Sequence, residues 1–222
     1  NNCSGKHSGF LCLGAHLAGD RDARGFVAGY VQRSHPLMRE VEHALQTATG
    51  FDLARAPCGI DGCSIPTHAI PLRHLARAFA RAGGGTGLPP DMALAARRLR
   101  TAVARHPFLV AGSERSDTLV MEALRERLFC KGGAEGMYCA ALPELGVGLA
   151  LKIDDGAGRA AEVALAALVS ALLPLDEREA AALSAWSPRP QLNRRGLEVG
   201  ALRATEVLRP AAAHRTLGDL PG

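Results

Sequence analysis

Met137-Tyr138-Cys139-Ala140-Ala141-Leu142-Pro143-Glu144-Leu145-Gly146-Val147-Gly148-Leu149-Ala150-Leu151-Lys152-Ile153 carries the fold class of this 222-residue chain. Val147, Leu149, Leu151 and Ile153 alternate with Gly146, Gly148, Ala150 and Lys152. That period of two belongs to a half-buried strand. Residues 137–142 read as its partner and 143–146 as the turn, so an antiparallel hairpin is predicted. After it, an alanine-rich helix over 158–173 is expected to cover the sheet, and 197–208 reads as a last strand. Before it the period is helical. Helices are predicted over 4–18, 71–81, 91–105 and 116–128. Another opens at Ser34-His35-Pro36, continues its apolar face through Leu37, Val41 and Leu45, and closes at Gly50. Gly83-Gly84-Gly85-Thr86-Gly87-Leu88-Pro89-Pro90 reads as a flexible connection. Residues from Pro210 onward read as a loose tail, and no internal repeat is present. Helices dominate the first part and a sheet with covering helices the second. The expected class is α+β, with a helical region over 1–90 and helices plus antiparallel sheet over 91–222.

Composition narrows the function. Apolar residues make up 47% and charged residues 22%, which fits a globular protein, and aromatics at 4% leave the core to Ala, Leu and Val. Net charge is +4. The best basic patch, Arg97, Arg98, Arg100 and Arg105, has no stacking aromatics near it, so it reads as a solvated helix face rather than a nucleic-acid surface. Six cysteines without a Cys-x-x-Cys pair point to free thiols in a reducing cytoplasm. The apolar run 161–173 carries Glu162 and stops at Pro174, so no membrane span is expected. The chain opens inside a motif without an initiator Met, and a truncated N-terminus is the expectation.

The chain holds three lysines, Lys6, Lys131 and Lys152, among 26 basic Lys and Arg residues. Arginine replaces lysine nearly everywhere a plain positive charge serves. Lysine differs by being able to lose its proton and act as base, nucleophile or ligand. Chance survival of three surface lysines is the plain alternative.

Cys3 and Lys6 stand three apart at the start of a helix and so share one face. A helix N-terminus favours thiolate over thiol and amine over ammonium. A tight Asp61-Gly62 turn that delivers Cys63 would complete a Cys3, Lys6, Cys63 donor set, and zinc suits sulfur and nitrogen. Free cysteines beside a surface lysine are the competing reading. Lys131-Gly132-Gly133 reads as a strand edge with room for a ligand, and it resembles the Lys-Thr-Gly element of penicillin-recognising serine enzymes. Asp154-Asp155-Gly156 reads as a turn with an N-cap, and His7 as a helix-face residue or a base.

Several stretches stand in one order: Asn1-Asn2-Cys3-Ser4-Gly5-Lys6-His7-Ser8-Gly9, Gly59-Ile60-Asp61-Gly62-Cys63, Arg115-x-Asp117-Thr118, Lys131-x-Gly133-Ala134-Glu135-Gly136, Ala140-Ala141-Leu142-Pro143, Leu151-Lys152-Ile153-x-Asp155-Gly156 and Arg159-Ala160. Together they resemble the bacterial L-asparaginase II family, the third structural class of asparaginases, typified by rhizobial enzymes. The resemblance runs from Asn1 to about Leu208. It implies a fold similar to serine β-lactamases and class A glutaminases, of which this chain would hold part. It implies hydrolysis of L-asparagine to L-aspartate and ammonia, and a zinc site on Cys3, Lys6 and Cys63. Asp61 and Lys131 would bind substrate, and Lys131 would also serve catalysis. Gly132 stands where the family commonly has Thr, so one hydroxyl contact is lost. The family's catalytic serines, in Ser-x-x-Lys and Ser-His-Ser-Gly segments, are expected upstream of Asn1, and the 222 residues alone are expected to be inactive. A cytoplasmic homodimer completes the expectation. The rival is a non-catalytic zinc-binding or interaction remnant of the same fold.

Overall fold

The alternating stretch is built as a strand, and the strand before it pairs with it in register. The computed structural model describes residues 3–208. They run through α1 (Cys3–Ala18), α2 (Ala23–Phe26) and α3 (Pro36–Thr49), then a short hairpin of β1 (Cys58–Ile60) and β2 (Pro66–His68). Four helices follow: α4 (Leu72–Gly84), α5 (Pro90–Arg105), α6 (Pro107–Ala111) and α7 (Ser116–Leu124). The main sheet is β3 (Phe129–Gly132), β4 (Met137–Leu142) and β5 (Val147–Lys152), antiparallel in the order β3-β4-β5. After α8 (Gly158–Leu172) and α9 (Glu177–Ser184), β6 (Arg189–Leu192) and β7 (Glu198–Leu202) form a separate antiparallel ribbon. This is an α+β arrangement of helices with small antiparallel sheets. The expected tail from Pro210 lies outside the described residues. Among the described residues no helix is long and apolar enough to cross a membrane.

The sheet is covered on both faces. Tyr138, Ala140 and Leu142 are buried in the main core with Met121 and Leu124 of α7, Leu165 and Val169 of α8, and Leu183 of α9. The opposite face takes α4. Ala141 and Gly148 are register partners, and each lies directly under that helix. A Cβ on Gly83 would stand 2.8 Å from the Ala141 Cβ, and one on Gly148 would stand 1.9 Å from the Ala76 carbonyl oxygen. Phe79 of α4 stacks on Phe129 of β3, with ring centroids 5.5 Å apart. A helix from the 1–90 region thus supplies one cover of the sheet in the 91–222 region.

Several boundaries differ from the sequence reading for identifiable reasons. Gly83 and Gly84 belong to α4 rather than to a flexible connection, because Gly83 is where the helix presses on Ala141. The helix ends at Gly85, whose φ of 74° takes the left-handed cap conformation. The predicted helix over 116–128 stops at Leu124, and Arg125 to Arg127 tighten into a 3₁₀ turn. The last strand covers only Glu198 to Leu202. In α3, by contrast, the sequence signals hold. Pro36 opens the helix, the His35 side chain accepts from the Leu37 N–H, and Gly50 closes it at φ 64°.

The 3₁₀ turn aims Arg127 at two carboxylates. Its Nη1 lies 2.5 Å from Glu179 Oε2, and its Nε and Nη2 reach the two Glu144 oxygens at 3.0 and 2.8 Å. Nη2 also donates to the Pro174 carbonyl. Hydrogen bonds to Glu144 and Glu179 raise the Arg127 pKa, and Arg127 in turn lowers that of Glu144. The Glu179 side chain is only 7% exposed. Arg127→Ala leaves that carboxylate only the Asp176 N–H as partner and is expected to cost about 3 kcal/mol. Urea denaturation checks it: Glu179→Gln added to Arg127→Ala should restore part of the loss. A single variant as stable as the parent would mean the network holds nothing together.

Candidate functional site

A second, smaller core sets the site. Leu37, Met38 and Ile65 are buried there, with Phe10, Leu13, Leu17, Tyr30, Val31 and Val41 packed around them. Phe10, Leu13 and Leu17 are the apolar face of α1, so this core fixes where the start of that helix lies. Gly14 lets α1 approach closely: a Cβ there would stand 2.4 Å from Val27 Cγ1. Ile65 anchors the β1–β2 loop in the same core.

Asp61 shapes that loop. Its Oδ1 accepts from the backbone N–H groups of Cys63 at 2.9 Å and Ile65 at 3.0 Å. Its own backbone pairs with Ile65 O and Ser64 N, and Ser64 takes a φ of 70°. The second carboxylate oxygen is thereby turned outward. Lys6 Nζ donates to Asp61 Oδ2 at 3.0 Å and to Cys63 Sγ at 3.2 Å. Cys63 Sγ in turn lies 3.2 Å from Cys3 Sγ and 3.3 Å from Asp61 Oδ2. Cys3, Lys6, Asp61 and Cys63 therefore converge, although 55 residues separate Lys6 from Asp61.

The electrostatics follow from these contacts. The Ile65 N–H, then Lys6 and Cys63, hold the Asp61 carboxyl well below the usual carboxylate range, against partial desolvation. Desolvation pulls the Lys6 pKa down, but hydrogen bonds to Cys63 and Asp61 outweigh it and the net shift is upward. The hydrogen bond to Cys3 pushes the Cys63 thiol up, and Lys6 opposes it. As arranged, the cluster sets the Lys6 ammonium against the Asp61 carboxylate and the Cys63 sulfur, with Cys3 beside them.

The donor chemistry of two sulfurs and one nitrogen fits zinc, with a carboxylate alongside. Among the described residues no three His, Cys, Asp or Glu side chains form a metal-binding group on their own, so the third donor would have to be Lys6. Two sulfurs bound tetrahedrally to one zinc stand about 3.8 Å apart at Zn–S distances of about 2.3 Å. The observed Cys3–Cys63 sulfur separation, 3.2 Å, is shorter than that.

A matching family model, described as L-asparaginase II, spans residues 1–204 of the 222. The chain belongs to the L-asparaginase II family. No curated protein gives a significant match.

The other residues singled out in this L-asparaginase II chain lie elsewhere. Lys131 is half-buried within β3, the strand that precedes β4, and its Nζ donates to the Gly132 carbonyl at 2.7 Å. Among the described residues no hydrogen bond or ion pair joins it to Lys6 or Asp61. Lys152 Nζ reaches the Ile153 carbonyl. Asp155 accepts from Ala157 N at 2.9 Å, a turn role. His7 Nδ1 pairs with the Tyr30 hydroxyl in the smaller core region. Arg97, Arg98 and Arg105 are exposed along α5.

Sequence reasoning gave Asp117 only a place near the start of a helix. It is fully buried, and its Oδ1 accepts from Gly132 N at 2.6 Å, next to Lys131. Ser116 beside it contacts the Tyr138 hydroxyl and Glu162 Oε1, each at 3.1 Å, and Arg189 pairs with Glu162. The Arg115-x-Asp117-Thr118 motif was the available signal. Its partners came from β3, β4 and α8, which no local pattern connects to it.

Proposed function

We propose that this protein acts as an L-asparaginase that hydrolyses L-asparagine to L-aspartate and ammonia. The single observation behind the reading is the Cys3, Lys6, Asp61, Cys63 cluster in a chain of this family. The proposed scaffold is of the serine β-lactamase and class A glutaminase kind. The nucleophile is a serine activated by a lysine in a Ser-x-x-Lys pair. No such pair occurs in the 222 residues, where Cys3, Leu128 and Leu149 stand three before the lysines. The serine would attack the side-chain amide carbon and ammonia would leave. Water would then release aspartate from the ester.

Cys3, Lys6 and Cys63 would hold the zinc. Bound there, zinc would supply fixed positive charge that shapes the substrate pocket. Asp61 keeps the loop in place through Cys63 N and Ile65 N, and its other oxygen, which meets Lys6, would face a substrate ammonium or a ligand water once Lys6 turned to the zinc. Lys131 would hold or polarise the substrate from β3. A bacterial-type, cytoplasmic homodimer goes with this reading.

Ammonia release from L-asparagine, with L-glutamine for comparison, tests the activity. The 222 residues alone are expected to be inactive, and the same chain preceded by a Ser-x-x-Lys segment in its reading frame active. Turnover by the 222 residues themselves would overturn the assignment of the nucleophile. Elemental analysis is expected to find about one zinc per chain, lost on Cys63→Ser. Zinc retained by a Cys3→Ser, Cys63→Ser double variant would remove the metal from this site. The rival, a zinc-binding module without catalysis, rests on the same cluster. It prevails if zinc binds and no asparagine is hydrolysed in either form.

A further inference from the structure

The described residues contain six free cysteines in three different situations. Cys130 is buried in the main core and Cys139 is buried in β4. Cys12 and Cys58 are exposed, and the Cys58 thiol touches only the carbonyl of its neighbour Gly59, at 3.6 Å. Cys3 is also exposed, but its sulfur lies 3.2 Å from that of half-buried Cys63. No other pair of thiols among the described residues is in contact. The two sulfurs stand about 1 Å beyond a disulfide length of about 2.05 Å. Cys3 is the first described residue of α1, and Cys63 lies in the β1–β2 loop.

We propose that Cys3 and Cys63 are a redox pair that closes to a disulfide in the metal-free protein, and that zinc and the disulfide exclude each other. The second half rests on the zinc reading above; the first does not. The oxidant is a small disulfide such as oxidised glutathione. The exposed Cys3 sulfur attacks it, forms a mixed disulfide and releases one glutathione thiol. The Cys63 sulfur then attacks the Cys3 sulfur, the bond to glutathione breaks, and a second glutathione thiol leaves. Two electrons pass from the protein thiols to the oxidant, and the two thiol protons end on the released glutathione. Both sulfurs are then consumed, so only Lys6 remains of the three donors. Reduction by a dithiol restores it.

Cys12 and Cys58 serve as internal controls, since they are exposed and have no thiol partner. The metal-free protein is treated with oxidised glutathione, its remaining thiols are alkylated, and its peptides are weighed. The expected result is that Cys12 and Cys58 carry glutathione. Cys3 and Cys63 should be joined to each other, with both lost from the alkylatable thiols. In Cys63→Ser, Cys3 should retain glutathione instead. Glutathione retained on Cys3 and Cys63 as on Cys12, or no reaction at either, would overturn the pair. Zinc chloride added first separates the two ideas. If zinc binds and the metal-free protein forms no cross-link, the redox pair fails and the zinc reading stands. If the cross-link forms equally fast with excess zinc, the exclusion and the zinc donor set fail together, and only the dithiol remains.

Discussion

Gly148→Val is expected to leave little folded protein. Gly148 sits in β5, opposite Ala141 of β4. A Cβ there would stand 1.9 Å from the Ala76 carbonyl oxygen and 2.5 Å from Ala80 N, both main-chain atoms of α4. No side chain can rotate out of the way, so the helix must lift from the sheet. That movement would also pull Gly83 off Ala141 and part the Phe79–Phe129 stack. Overpacking of a tight core usually costs 1–3 kcal/mol, and a clash with rigid backbone belongs at or above the top of that range, about 3 kcal/mol or more. Gly148→Ala carries the same Cβ and should suffer nearly as much. Gly200→Ala is the control, because a Cβ there meets nothing within 4 Å. Urea midpoints by circular dichroism decide it. A Gly148→Val protein as stable as Gly200→Ala would mean that α4 does not rest on this strand.

The contrast between those two glycines shows what the sequence exposes and what it hides. The alternation through Val147, Leu149 and Leu151 is a local signal and gave the hairpin. Gly148 looked there like any other member of the outward set. Its reason, the backbone of a helix some seventy residues earlier, is a long-range fact. The same holds for Gly83, read as part of a flexible connection because glycine runs do usually mark loops. In the site, Cys3 and Lys6 were readable as one face because a helix fixes their spacing. Cys63 was readable only as the product of a turn, and Asp61 as a turn former. The geometry shows Asp61 doing more: one oxygen organises the loop through Cys63 N and Ile65 N, and the other meets Lys6. Short elements escaped altogether. β1, β2 and β6 have three or four residues each, too few for a period to declare itself.

In the chain preceded by the Ser-x-x-Lys segment proposed above, Lys131→Arg and Lys131→Met are each expected to reduce L-asparaginase turnover by about 100-fold or more, the usual cost of removing a positioned donor. Lys131 occupies a confined place. Its ammonium lies on the Gly132 carbonyl at 2.7 Å, while the N–H of the same Gly132 is held by the buried Asp117 at 2.6 Å. A Cβ on Gly132 would stand 3.5 Å from both Asp117 oxygens and 3.4 Å from the Tyr138 ring, so the strand fits closely against α7 just where the lysine leaves it. Arginine keeps the charge but spreads it over a planar fork that cannot shed a proton, and it is too broad for a point contact on one carbonyl. Methionine keeps the approximate length and removes the charge. Neither should unfold the protein, because Lys131 is half-buried and its hydrogen bond is to its own neighbour. The urea midpoint is therefore measured beside the rate. An Arg variant with parental turnover would show that only a positive charge is required at β3. Both variants with parental turnover and stability would reduce Lys131 to a strand residue without a part in the reaction, leaving the Cys3, Lys6, Asp61, Cys63 cluster as the sole support for the proposed activity.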